Sequence, residues 1–321
     1  MTTPLKLLGL PILAIAEILK PLDPIELLNL SQTSRKVSRL IFLANTHRWE
    51  VSFDKYIIIH TKKYSYNIII TQTAKWMSVM MTKNGNSEAK GWRTLYWKSA
   101  DWISLVFHII QVFKCPITKI RTGYSMNFQD FQRVMEFVMA RQSEMKLLEL
   151  TPLELDENVL EGIFKRIKIT DTLTIFHKFS PKFCYRNDPK HIYIKHSGWF
   201  GLKNLLDCVS NCVSMELSWA SLTNRHLNMF LKTWMSGKYP NLHYLKISGE
   251  KLNFKGKILG MELPIEEIED PWVVEDTIGG IIRTCVGSVQ IRRPDGVKAY
   301  IHMDESGAFP FHVELTFFVW K

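Results

Sequence analysis

Five cysteines are the side chains of this sequence best suited to bind a metal or form disulfides. Their odd number and scattered placement argue against a disulfide framework, so we expect a reducing compartment, the cytosol or the nucleus. Cys208-x3-Cys212 would place two thiols on one face of a helix, as half of a zinc site. No second Cys or His pair follows at zinc spacing, so we predict buried structural cysteines and no metal or other cofactor. The five are Cys115, Cys184, Cys208, Cys212 and Cys285.

The sequence has ten histidines but lacks the motifs that organise a catalytic site. No serine lies in the Gly-x-Ser-x-Gly turn that presents a nucleophile. Gly279-Gly280 is not followed by the Lys-Ser/Thr pair of a phosphate-binding loop. His177, His191 and His196 lie close in sequence, but their spacings of 14 and 5 residues fit no ligand helix. We therefore predict no catalytic residues and no enzymatic activity.

The formal net charge of +10 is distributed unevenly. Between Ser31 and Ala100, twelve lysines and arginines stand against three acids, whereas residues 262–276 contain seven acids and no basic residue. A basic half with aromatic rings is one pattern of nucleic-acid binding. The lysines are nevertheless spread through alternating segments, which favours a solvated sheet face or a surface for acidic or phosphorylated substrates. Nucleic-acid binding stays open as an alternative, with Trp76, Trp92, Trp97 and Trp102 as candidate stacking residues.

The segment Leu10–Ile41 contains more aliphatic side chains than a unit of its size can bury. A first run of apolar residues at helical spacing ends at Lys20-Pro21, because the residue before proline avoids the α region. Asp23-Pro24, with Glu26 behind it, forms a capping box that starts a second helix. A third helix begins near Thr33-Ser34. A segment of fewer than roughly 40 residues without cysteine seldom folds alone, so we predict that a partner protein covers the surplus apolar surface.

Several spaced motifs of this segment agree with one family pattern. They are Leu10-Pro11, Ile18-Leu19, Leu22, Asp23-Pro24, Leu27-Leu28-x-Leu30 and Ser34-Arg35-Lys36. In this order and spacing, residues 4–44 resemble an F-box. Ile12-Leu13 departs from the pattern, since many members carry a polar residue after Leu-Pro.

The F-box resemblance implies a partner and a set of contact residues. The partner is the Skp-type adaptor of a cullin-based, SCF-type ubiquitin ligase, with the cullin bound through that adaptor. The residues implied to contact the adaptor are Leu10, Pro11, Ile15, Ile18, Leu19, Leu22, Pro24, Leu27, Leu28 and Leu30.

A secretory signal peptide is the competing interpretation of the N-terminus. Leu7–Ala16 is a ten-residue apolar run after Lys6, and Ala14-Ile15-Ala16 is similar to a cleavage site. Pro11 interrupts the apolar run, and the helical pattern continues past the cleavage point. Charged residues also interrupt the segment before the ~20 residues that a membrane span needs. We therefore favour an intracellular protein without membrane attachment.

After the helical segment the apolar periodicity changes to two, which predicts a β meander over about residues 49–98. From about 99 to 260, strand-like runs alternate with amphipathic helices, which predicts a degenerate leucine-rich-repeat-like α/β array. Pro294-Asp295-Gly296 predicts a β-hairpin, and alternating apolar residues from Phe311 predict a last strand. The predicted fold class is α+β: three helices, the meander, the array, then the C-terminal hairpin and strand.

A second set of motifs lies in residues 190–300. It comprises Leu217-x-Trp219, Leu222-Thr223, Leu227-x-x-Phe230-Leu231-x-x-Trp234, Pro240-x-Leu242-x-x-Leu245 and the hairpin Ile291–Gly296 with Ala299. These motifs resemble the type 2 F-box-associated domain of nematode-type F-box proteins. The resemblance implies that residues 45–321 form a substrate-binding region. The family supplies no motif that names the target, so the substrate-contact residues are unknown.

The two resemblances predict a non-catalytic adaptor that recognises the substrate of an SCF-type ubiquitin ligase. Its F-box would dock on the Skp-type adaptor, and its C-terminal region would bind an unknown protein target. Two alternatives stay open: a leucine-rich-repeat-like interaction scaffold without ligase linkage, and a basic nucleic-acid-binding protein.

Overall fold

The structure is a computed structural model that describes residues 7–54, 56–69, 76–84, 88–97, 102–123, 126–151, 156–183, 185, 187–253, 256–261, 272–275, 282–285, 289–305 and 313–320. The chain divides into two compact units, Met1–Leu147 and Leu148–Lys321. The boundary predicted between residues 44 and 45 lies inside the first unit and stays a prediction.

The first unit begins with short helices, as the capping signals predict. Two longer helices are α1, Ile12–Leu19, and α2, Pro24–Ser31. The predicted third helix is divided, because α3 covers Arg35–Ser38 and a 3-10 helix follows at Ile41–Ala44. Asn45 ends this run with a left-handed φ of 62°, a conformation that asparagine tolerates better than most residues. Two other 3-10 helices are Leu7–Gly9 and Thr46–Arg48.

The rest of the first unit contains the predicted meander and two further helices. Strands β1 to β5 are Glu50–Phe53, Ile57–His60, Tyr64–Ile69, Trp76–Lys83 and Ala89–Tyr96, and each pairs antiparallel with the next. Helix α4, Trp102–Phe113, leads to β6, Ile117–Arg121, which pairs parallel with β1. Helix α5 is Phe128–Met139, and β7, Glu144–Leu150, includes the unit boundary. The meander is confirmed, and β5 is its outermost strand.

The second unit is built on four parallel strands. They are β8, Lys168–Ile175; β9, His191–Ile194; β10, Ser214–Leu217; and β11, Tyr244–Gly249, each paired with its neighbour in this order. The helices are α6, Glu157–Arg166; α7, Leu202–Cys208; and α8, Asn224–Met235, with a 3-10 helix at Ser197–Trp199. Strands of parallel sheets need crossover connections, and α7 and α8 lie in two of these connections.

Antiparallel strands complete the second unit. They are β12, Trp272–Glu275; β13, Ile282–Cys285; β14, Val289–Arg292; β15, Lys298–Glu305; and β16, Val313–Trp320. Strand β16 pairs with β11 and β15, β15 pairs with β14, and β12 pairs with β13. The predicted hairpin is confirmed, because Ile291 pairs with Ala299 across the turn. Phe311 lies outside the described residues. The fold is therefore mixed α/β, with an N-terminal helical module followed by extensive β-sheet.

Candidate interaction sites

The capping residues fix where the N-terminal helices start. Asp23 accepts hydrogen bonds from the main-chain N–H groups of Ile25 (2.8 Å) and Glu26 (2.9 Å). Glu26 in turn accepts from the N–H of Asp23 at 2.8 Å, which completes the predicted capping box. Ser34 caps α3 by accepting from the N–H of Val37 at 3.2 Å. These starts determine which apolar side chains turn inward.

The ten residues predicted to contact the adaptor differ in exposure. Pro11 and Ile18 are exposed, and Leu10, Leu22 and Leu30 are partly exposed. The remaining five are buried inside the first unit: Ile15, Leu19, Pro24, Leu27 and Leu28. Those five side chains form the core of the helical module, so they leave little surface for a partner.

Helix α1 exposes further apolar side chains around its buried Ile15 and Leu19. Ile12 is 59% exposed, Leu13 is 78% exposed and Ile18 is 38% exposed, and Leu8 in the preceding 3-10 helix is 49% exposed. We call Leu8, Ile12, Leu13 and Ile18 the exposed apolar set. An amphipathic surface helix normally exposes polar residues outside its buried stripe. The composition of α1 therefore indicates a surface that another protein covers.

Two amide side chains, Asn29 in helix α2 and Gln32 at its C-cap, attach this helix to the sheet of the first unit. Asn29 accepts from the main-chain N–H of Tyr96 at 3.2 Å and donates to the carbonyl of Thr94 at 3.4 Å. Gln32 donates to the carbonyl of Tyr96 at 2.7 Å. We call Asn29 and Gln32 the edge clamp, because they bind main-chain groups of the outermost strand that another strand could otherwise pair with.

A partly buried histidine makes a second connection between α2 and the rest of the first unit. His108 Nε2 lies 2.7 Å from Ser31 Oγ, and its ring lies 5.1 Å from the ring of Trp97. The Ser31 hydroxyl donates to the carbonyl of Leu28, so Nε2 is assigned as the donor toward Ser31. Burial lowers the pKa of His108, which favours the neutral ring at this contact.

The second unit has a pocket of about 320 Å³ at the carboxyl ends of its parallel strands. Its lining comes from the segments that follow β8, β9, β10 and β11. Open α/β sheets bind ligands in the crevice at this end of their strands. The lining residues that matter below are Lys178, Phe179, His196, Trp199, Trp219 and Lys251, and they define the strand-end pocket.

Hydrogen bonds and close backbone packing hold the walls of the strand-end pocket in place. Ser221 Oγ donates to the carbonyl of Gly198 at 2.8 Å, which joins the segments after β10 and β9. The N–H of Ala220 donates to the carbonyl of Ser248 at 2.9 Å, and a Cβ on Gly249 would overlap the carbonyl of Ala220. Trp219 has a left-handed φ of 53° and is 37% exposed. The ring of this tryptophan is therefore held at the pocket by a close-packed backbone.

Aromatic rings form the buried side of the strand-end pocket. Phe179 stacks on Phe183 with centroids 3.9 Å apart and an interplanar angle of 13°. Trp199 meets both rings edge-on at 5.1 Å. All three rings are buried, so the pocket has a rigid apolar side.

The rim of the strand-end pocket carries more positive than negative groups. Burial lowers the pKa of His196 most strongly, and the nearby charges of Lys195, Lys178 and His177 lower it further. Among the described residues, Lys178 and Lys251 form no ion pair. In the described part of the lining, Glu250 is the one acidic residue. The potential at this rim therefore favours an anionic ligand.

Comparison with protein-family models matches two parts of the chain. The F-box domain model matches residues 7–48, and the F-box associated model matches residues 180–247. The chain carries an F-box and an F-box-associated domain. The first match includes the exposed apolar set, and the second includes His196, Trp199 and Trp219 of the strand-end pocket.

A curated protein similar to this chain is the Skn-1 dependent zygotic transcript 15 protein of Caenorhabditis elegans. The two are 23% identical over 218 residues, which is 64% of this chain and 61% of the relative. The chain therefore spans about three fifths of that relative's length. The comparison with solved structures gave no match.

Sequence reasoning missed three members of the exposed apolar set and the whole strand-end pocket. Leu8, Ile12 and Leu13 lie outside the F-box motif positions that the resemblance supplied. The sequence of α1 could have predicted their exposure, since the helix has apolar residues on almost every side and cannot bury all of them. The pocket had no comparable signal, because its residues come from four separate segments.

Cys115, Cys208 and Cys212 are buried, but Cys208 and Cys212 differ from the predicted arrangement. Helix α7 ends at Cys208, so Cys212 lies beyond it and the two thiols do not share a helical face. Cys212 donates to the carbonyl of Ser214 at 2.9 Å, and burial raises its pKa to about 12. Burial likewise raises the pKa of Cys115 to about 12. Cys184 lies outside the described residues.

Two searches of the described part of the chain gave negative findings. No cluster of three or more His, Cys, Asp or Glu side chains there has the placement to hold a metal ion. Within the same residues, every helix is too short or too polar to cross a membrane.

Proposed function

We propose that this chain is the substrate-recognition subunit of an SCF-type ubiquitin ligase. The F-box binds a Skp-type adaptor, and through it the cullin, while the F-box-associated region binds a protein target. The ligation chemistry belongs to the partners, and this chain raises the effective concentration of the target near them. We also infer that the strand–helix alternation of residues 99–260 is related to leucine-rich-repeat stacking, and that the F-box ends near residue 44.

The exposed apolar set is the observation that carries this proposal. Leu8, Ile12, Leu13 and Ile18 lie in the segment that matches the F-box, and all are at least 38% exposed. A soluble helix does not gain stability from such side chains in water. Burial against an adaptor would remove them from solvent.

Burial of these four side chains alone does not supply the binding free energy of a tight complex. Full burial of each contributes about 1.5–3 kcal/mol, while association costs on the order of 4–15 kcal/mol. A nanomolar complex needs a net of about −12 kcal/mol. The partly exposed Leu10, Leu22 and Leu30 and the exposed Pro11 therefore belong to the proposed contact surface.

Co-expression of the full chain with a Skp-type adaptor tests this function. We expect the two proteins to co-purify, and the double variant Leu13→Asp, Ile18→Asp to weaken the complex by at least about a hundredfold. Leu27→Asp is unsuitable as a surface probe, because Leu27 is fully buried. Met229→Asp is the matched control, since Met229 is 45% exposed but lies in α8 of the second unit.

Three outcomes distinguish the proposed function from its alternatives. Loss of the complex in the F-box variant but not in the Met229 variant supports adaptor docking. A wild-type chain that captures targets but no adaptor would instead be an interaction scaffold. Retention on DNA or RNA that falls with rising salt would favour the nucleic-acid alternative.

A further inference from the structure

The strand-end pocket has the shape and charge to select one kind of target segment. We propose that it binds a short acidic peptide of the target protein, with one bulky apolar side chain in the pocket and adjacent carboxylates beside Lys178 and Lys251. This inference rests on the proposed function, because it names the class of target that the F-box-associated region takes.

The volume of the strand-end pocket fits a single large side chain. Ligand pockets generally measure about 300–1,000 Å³, so about 320 Å³ is at the small end of that range. Phe179 and Trp199 supply a buried aromatic side, and the exposed side chain of Trp219 also lines the pocket. A leucine, phenylalanine or tryptophan side chain would exchange water for contacts with these rings.

The rigidity of the pocket favours binding of a short segment. The Ser221–Gly198 and Ala220–Ser248 hydrogen bonds fix the walls before any ligand arrives. A preformed site loses less conformational entropy when it binds. The few contacts of a short peptide can therefore yield a measurable affinity.

The charges around the pocket decide between acidic and basic peptides. Lys178 and Lys251 line the rim, and Lys195 lies close enough to His196 to lower the pKa of its imidazole. The aromatic rings alone could also attract a cation. Among the described residues of the lining, two lysines stand against one glutamate, Glu250. With Lys195 nearby, this excess of positive charge repels a lysine or arginine side chain and attracts carboxylates.

Fluorescein-labelled peptides of defined composition test the inference on the full chain. The acidic pool carries Glu-Glu-Φ-Glu-Glu within a Gly-Ser sequence, where Φ is an equal mixture of Leu, Phe and Trp. A basic pool replaces every Glu with Lys, and a truncated pool replaces Φ with Ala. Anisotropy titrations should give a dissociation constant for the acidic pool at least about tenfold below both others, a difference of about 1.4 kcal/mol.

Charge reversal at the rim tests whether the selected peptide binds in this pocket. Lys178→Glu with Lys251→Glu should weaken binding of the acidic pool roughly tenfold, since each exposed pair contributes up to about 1 kcal/mol. Lys203→Glu with Lys232→Glu is the matched control, because both lysines are exposed on helices α7 and α8. Trp219→Asn removes the ring while keeping a residue that tolerates left-handed φ, and it should also weaken binding.

Several results would overturn the inference. One is an acidic pool that binds no more tightly than the basic or the truncated pool. Another is a Lys178→Glu, Lys251→Glu variant that binds the acidic pool as tightly as the Lys203→Glu, Lys232→Glu control. Preference for a phosphoserine pool over the acidic pool would assign the site to phosphate instead of carboxylate. Thermal melts of each variant identify any that has lost its fold.

Adaptor capture, measured separately, distinguishes failure of this inference from failure of the proposed function. The rim variants should capture the Skp-type adaptor as the wild type does. Normal capture without peptide selection removes only the acidic-peptide assignment. Peptide selection without capture removes the ligase role and leaves the pocket assignment in place.

Discussion

Gln32, the residue that caps the C-terminus of α2, donates a 2.7 Å hydrogen bond from its side-chain amide to the main-chain carbonyl of Tyr96. Tyr96 ends the outermost strand of the first unit's sheet, and its N–H is bound by Asn29 of the same helix. The helical module is thus joined to the sheet through polar main-chain recognition as well as apolar packing. A position that a further strand could occupy is taken by a helix.

Removing the edge clamp should loosen the F-box from the sheet. Asn29→Ala with Gln32→Ala deletes the three hydrogen bonds to β5, each worth about 0.5–1.5 kcal/mol net. We expect the first unit to lose about 2–4 kcal/mol of unfolding free energy, measured by urea denaturation. Amide hydrogen exchange at Tyr96 should accelerate.

An exposed glutamine on another helix controls for this change. Gln111→Ala in α4 makes the same truncation at an exposed position and should shift stability by less than about 0.5 kcal/mol. Equal effects of the double variant and this control would show that the edge clamp does not stabilise the module.

Gly249 is expected to admit no larger residue, because its neighbour leaves no room for a Cβ. Gly249→Ala would place that atom against the carbonyl of Ala220 and push a wall of the strand-end pocket aside. Overpacking of this kind costs about 1–3 kcal/mol. We expect a lower melting temperature for the second unit, and weaker binding of the acidic peptide pool.

The control for the Gly249 substitution is another glycine in the same unit. A Cβ added at Gly162 in α6 meets nothing within 4 Å, and alanine in a helix is favoured over glycine by about 0.5–1 kcal/mol. Gly162→Ala should therefore stabilise the second unit slightly. If both variants melt alike, close packing at Gly249 is not a constraint.

Local signals in the sequence predicted the parts of the fold that depend on neighbouring residues. The Asp23–Glu26 capping box and the Ile291–Ala299 hairpin pairing involve residues three and eight positions apart, and both are confirmed. The edge clamp joins residues 64 to 67 positions apart, and no local pattern encodes such a pairing. The apolar character of a residue also did not predict its exposure, since Leu27 is fully buried whereas Leu13 is 78% exposed. The strand-end pocket was unpredictable for the same reason, since its residues meet only after four strands align.

Acidification should destabilise the first unit through His108. Burial lowers the pKa of His108 in the folded protein, so the unfolded chain binds more protons once the pH falls to about 6.5, the usual histidine value. Unfolding is then favoured by protonation. Stability present above pH ~6.5 is lost progressively toward the lower folded pKa, with a slope of at most about 1.4 kcal/mol per pH unit for one proton.

Urea denaturation between pH 7.5 and 5, followed by the fluorescence of the tryptophans, measures this dependence. His108→Gln keeps a hydrogen-bonding side chain but cannot titrate, so the pH slope should decrease. It should not vanish, because burial and the Lys119 charge also lower the pKa of His60. His47→Gln, at an exposed position, is the matched control for the loss of one histidine. A slope that is the same in the wild type and in His108→Gln would contradict the assigned burial of His108 beside Ser31.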